Sequence, residues 1–72
     1  MLKGKTITMF LNYFRTYGQN RDSIQIIQDC WNMYGLTARQ TAGCLGVAVR
    51  EQAITVIGSV KYPNGKVAHY FA

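Results

Sequence analysis

Residues 36–47 read LTARQTAGCLGV. Thr37 followed three residues later by Gln40 is the spacing at which two side chains satisfy the free backbone N–H groups of a helix start. Ala38, Ala42 and Leu45 fall on one side of that helix, and Ala42 is small enough to let another helix approach closely. Gly46 permits a sharp change of direction at positive φ. The stretch therefore predicts a helix of about two and a half turns that stops at Gly46 and is crossed by the next element.

Two readings of that next element are open. From Val49 or Arg50 to Val60, the residues Ala53, Ile54, Ile57 and Val60 are spaced for the buried face of a helix, with Glu51, Gln52, Thr55 and Ser59 pointing elsewhere. The same AITVIGSV is rich in β-branched residues and also suits a strand. Beyond Val60 a hairpin is expected on either reading. Tyr62-Pro63-Asn64-Gly65-Lys66 has proline to enter a turn and Asn-Gly to close it. Val67, His69 and Phe71 then alternate with Ala68 and Tyr70.

Upstream, two further helices are expected. Residues 6–17 place Ile7, Phe10, Leu11, Phe14 and Tyr17 at helical spacing, and Gly18 suits a left-handed end. This segment is the candidate for core packing or dimerisation. In the second helix Asp22 caps with Gln25 as partner. Ile24, Ile27 and Trp31 share one face, with Ile26, Cys30 and Tyr34 beside it, a wide apolar surface suited to the centre of a small bundle. Gly35 ends it.

Seventy-two residues make one domain, spanning 1–72, with 49% hydrophobic residues to build a small core. Eight Lys/Arg against three Asp/Glu give a net charge of +5, which favours a polyanionic partner. No run approaches the length of a membrane span. The start MLKGKTITMFLNYF is interrupted by Thr8, Asn12 and Arg15 and has no small-residue cleavage site, so a cytoplasmic protein is expected.

Two cysteines, Cys30 and Cys44, are expected as reduced core thiols; no closely spaced set suggests a metal. The three acids Asp22, Asp29 and Glu51 are too dispersed for paired acid–base work, and the single His69 lies among strand residues. There is no glycine-rich phosphate loop. These observations argue against an enzyme and against a cofactor.

The order of elements resembles the winged helix-turn-helix family, particularly small stand-alone members of the kind carried by phages and other mobile elements. The resemblance covers Ser23 to Phe71. It rests on Ile26-Ile27, Gly35-Leu36-Thr37, Ala42, Leu45-Gly46-Val47, Ile54 and Ile57, with Pro63-Asn64-Gly65 as the wing tip. It implies an α+β, mostly α fold of three to four helices with a C-terminal β-hairpin wing. It also implies a recognition helix over about 50–60 in the major groove and a wing over 61–67 on the DNA backbone.

On that reading Arg50 stands at the entrance of the recognition helix, where an arginine fork matches a guanine edge. Gln52, Thr55 and Ser59 supply its polar face. Thr37, Arg39 and Gln40 sit at a helix N-terminus suited to phosphate, while Lys61, Asn64 and Lys66 belong to the wing. The expectation is a homodimeric transcriptional regulator that binds double-stranded DNA in a sequence-specific way. A module that binds a host protein through the same scaffold is the alternative, as is an architectural or recombination factor.

Overall fold

A computed structural model describes residues 4–72 of the chain. Helix α1 spans Lys5–Tyr17, and a 3-10 turn over Gly18–Asn20 leads to α2 at Ser23–Tyr34. Helix α3 spans Ala38–Arg50, and strands β1 (Val56–Lys61) and β2 (Val67–Phe71) complete the order. Three helices followed by an antiparallel two-stranded hairpin make a mostly helical α+β architecture, compatible with a winged-helix-like fold.

Both expected capping boxes are present. Asp22 Oδ1 accepts from the Gln25 backbone N at 2.9 Å, and Gln25 Oε1 accepts from the Asp22 N at 3.1 Å. Thr37 and Gln40 exchange the same pair of bonds at the start of α3. Between these helices Gly35, at φ 69°, adopts the left-handed conformation that closes α2. The tight turn Gly35-Leu36-Thr37 thus comes from one glycine and one cap.

The core gathers one face from each helix: Ile7, Phe10, Tyr13 and Phe14 of α1, Ile26 and Cys30 of α2, and Cys44, Leu45 and Ala48 of α3. Leu36, Ile54 and Phe71 complete the cluster. The first helix therefore spends its aromatic stripe inside its own chain, with Tyr17 left exposed. Gly18 does not turn left-handed as expected. Its φ is −71°, and its need for glycine is steric, because a Cβ there would strike the Phe14 ring.

Two further expectations are corrected. Helix α3 runs straight through Gly46 to Arg50, with Gly46 exposed and nothing near its Cα for a side chain to meet. Glycine permits a turn but does not impose one, and the buried Cys44 and Leu45 before it and Ala48 after it keep the helix on the core. The helix ends instead at Gln52, at φ 62°, where Gln52 N donates to Val49 O at 3.0 Å and Ala53 N to Ala48 O at 2.8 Å. That pair of bonds is a Schellman end with glutamine in the place glycine usually takes. Consequently no helix occupies 50–60, and the β-branched residues there form β1.

A further expectation, for α2, is also corrected. Ile24, Ile27 and Trp31, expected at the bundle centre, lie on the outer side of α2, and Trp31 is 58% exposed. Only the Ile26 and Cys30 side of α2 is buried.

Strands β1 and β2 pair from Lys61↔Val67 back to Val56↔Phe71, with an irregularity between Val56 and Gly58. Thr55 and Ala72 extend the ladder by two backbone bonds of 2.9 Å. Ala68 and Phe71 are both buried, so strict alternation fails along β2 near that irregularity. Asp22 also makes an isolated antiparallel bridge to Tyr70. One residue of extended chain between α1 and α2 thus stands as a minimal third strand against β2.

Candidate nucleic-acid interface

The outward side of α3 repeats at helical spacing: Arg39, Gly43, Gly46 and Arg50, all exposed, against the buried Thr41, Cys44, Leu45 and Ala48. The two arginines are eleven residues apart, about 16 Å along the axis. Between them lie two glycines, with the exposed Ala42 and Val49 beside them, so the surface there is low and close to the helix backbone. Arg50 also sits in the last turn, where a cation complements the helix dipole.

The hairpin tip is held by its own bonds. Gly65 N donates to Tyr62 O at 2.9 Å, Tyr62 N to Lys66 O at 2.7 Å, and Lys66 N to Asn64 Oδ1 at 2.9 Å. Asn64 therefore serves the turn. Lys61 and Lys66 flank the turn and are exposed.

Anionic side chains are largely taken inward. Asp22 is 2% exposed, and its second oxygen accepts from Tyr62 Oη at 2.6 Å. That bond raises the Tyr62 phenol above its ordinary range. Asp29 accepts from Tyr13 Oη at 2.5 Å and takes a two-pronged bond from Arg21, both prongs at 3.0 Å. Burial alone would raise the Asp29 carboxyl, but the Tyr13 and Arg21 bonds outweigh it and hold it below the usual range. Arg21 is consumed in the same cluster, and its guanidinium is held the more firmly charged by Asp29. With Asp22 and Asp29 engaged in these bonds, the exposed Arg39, Lys61 and Lys66 present positive charge to solvent, while Arg50 has the third carboxylate, Glu51, beside it and in electrostatic contact.

The ten residues singled out from the sequence divide accordingly. Arg39 and Arg50 share one face of one helix, a grouping that the expected break at Gly46 had hidden. Thr37 and Gln40 are engaged in capping each other's backbone. Gln52 closes α3, and Thr55 and Ser59 lie on or beside β1, Ser59 opposite His69. These three do not form a helix face. Lys61, Asn64 and Lys66 are at the hairpin tip. Gly43 and Gly46 were missed as surface, because glycine leaves no side-chain chemistry to notice.

The expected core thiols are found as two buried free cysteines. Desolvation pushes the Cys30 thiol up to about 11 and raises Cys44 as well, so burial favours the neutral thiol at both. Among the described residues no cluster of His, Cys, Asp and Glu could hold a metal ion, and no helix is long and apolar enough to cross a membrane. Comparison with family models, curated proteins and solved structures finds no match to this chain.

Proposed function

We propose that this chain binds double-stranded DNA as a small regulator of the winged helix-turn-helix kind. Helix α3, rather than a helix over 50–60, enters the major groove, and the Lys61–Lys66 tip rests on the backbone. The observation that carries this reading is the α3 face: an arginine at each end of a low surface close to the helix backbone. A span of about 16 Å exceeds the roughly 12 Å width of a major groove. Arg39 and Arg50 would then meet phosphates or base edges at its two sides, while Gly43 and Gly46 let the backbone approach the groove floor. With so few side chains between them, phosphate contacts and groove shape carry most of the affinity.

Fluorescence anisotropy with a labelled duplex tests this. Four phosphate contacts, from Arg39, Arg50, Lys61 and Lys66, give a log–log salt slope near −3.6, or about a 10²-fold loss between roughly 50 and 200 mM salt. Replacing any one of the four by alanine should flatten that slope by about one unit. Gln52→Ala and Ser59→Ala should leave it unchanged. No binding at about 50 mM salt would overturn the reading.

A further inference from the structure

The outer side of α2 carries an exposed apolar surface. Ile24, Ile27, Gln28 and Trp31 of α2, with Ala38 at the start of α3, enclose a groove of about 400 Å³. We propose that a second copy of this chain fills it, through a twofold contact of α2 on α2.

Charge favours this face over others for a contact between copies. Copies of a chain carrying +5 repel one another, and they approach most easily where cations are absent. Helix α2 contains no lysine or arginine, and none lines the groove. Its one acid, Asp29, is already paired with Arg21. The exposed Val56, Ile57 and Val67 of the hairpin share their strands with Lys61 and lie beside Lys66, so pairing there would bring more cations together than at the α2 groove, where Arg39 follows Ala38 at the edge.

Shape agrees with charge. A twofold interface must be complementary to itself. On a twofold axis this face would meet its own copy, with Ile24, Ile27, Trp31 and Ala38 of each groove covered by the same residues of the other. The half-exposed Trp31 would lose solvent in both copies. A twelve-residue helix is only about 18 Å long. The contact falls at the small end of stable interfaces, so dissociation in the micromolar range is expected.

The proposal stands apart from DNA binding and is tested without DNA. Sedimentation velocity from about 1 to 200 µM, followed together with the emission of Trp31, the single tryptophan, reads both mass and burial. The wild-type chain should pass from monomer to dimer, with Trp31 emission moving to the blue over the same range. Gln28→Arg places a cation in the groove at an exposed position and should remain monomeric, with an unchanged helical circular dichroism spectrum. Trp31→Ala should also remain monomeric, while Ile57→Ser should dimerise like wild type. A monomer throughout, or a Gln28→Arg variant that dimerises undiminished, would overturn the proposal. So would a blue shift that appears only on adding duplex or another protein, since either would then be the occupant.

Discussion

Tyr62 Oη donates to Asp22 Oδ2 at 2.6 Å across forty residues of chain, while the other oxygen of the same carboxylate caps α2. One buried side chain therefore holds the helix start and the root of the hairpin tip together. Tyr62→Phe removes one donor from a carboxylate that stays buried, and should cost about 1–3 kcal/mol in urea unfolding. Asp22→Ala loses the cap as well and should cost more than Tyr62→Phe by about 1 kcal/mol. Equal losses would mean that the cap contributes nothing.

Gly46 sits in the middle of an exposed helix face with empty space around it. Gly46→Ala should raise stability by about 0.5–1 kcal/mol, seen as a higher urea midpoint at unchanged slope. The added methyl would also stand where α3 is proposed to approach DNA, so on that proposal affinity should fall as stability rises. A lower midpoint would restore a helix end at Gly46.

Gln52 holds a left-handed conformation that costs a residue with a side chain about 1–2 kcal/mol. Gln52→Gly relieves it but loosens the unfolded chain, which offsets about 0.4–1 kcal/mol. A small net gain is expected, and a clear loss of thermal stability would contradict the Schellman end.

Asp29 has a folded carboxyl held below its ordinary range, so its contribution is present above the unfolded pKa and disappears as pH falls through the folded value. Thermal stability should decline on acidification below about pH 4, where an unperturbed aspartate titrates. Asp29→Asn should be less stable at neutral pH and show a shallower acid decline. A variant with the same acid slope as wild type would remove Asp29 from that role.

Thr41 is fully buried in α3, and its Oγ1 has no hydrogen-bond partner among the described residues. Thr41→Val keeps the branched shape and removes an unsatisfied oxygen, so a gain of about 1 kcal/mol is expected from calorimetry. Destabilisation would indicate that the hydroxyl is bonded, with the neighbouring Cys30 thiol as the partner.

How far the sequence discloses this molecule depends on the kind of signal each residue carries. Asp22 with Gln25 and Thr37 with Gln40 are local devices, complete within four residues, and both form as read. The hairpin around Pro63-Asn64-Gly65 is equally local. The end of α3 is not, because Gly46 is permissive in either direction and the choice is made by Cys44, Leu45 and Ala48 packing on other helices. Gln52 gives no warning of a left-handed turn. Once that boundary moves, Arg39 and Arg50 come onto one face, and Gln52, Thr55 and Ser59 leave it.

The bridge between Asp22 and Tyr70 has a kinetic meaning as well as a topological one. The capped helices and the hairpin are each assembled from near neighbours in sequence, whereas the hairpin joins the helices through pairs such as Asp22–Tyr62 and Ser23–His69. Local pieces form early, and closures spanning forty or more residues follow. An isolated two-stranded hairpin is barely stable in water. Residues 56–71 are thus the part expected to detach first, exchanging their amide protons ahead of α1 to α3 without unfolding the rest. In the proposed complex, a hairpin able to lift and resettle on its own would adjust to a surface that the helices have already met.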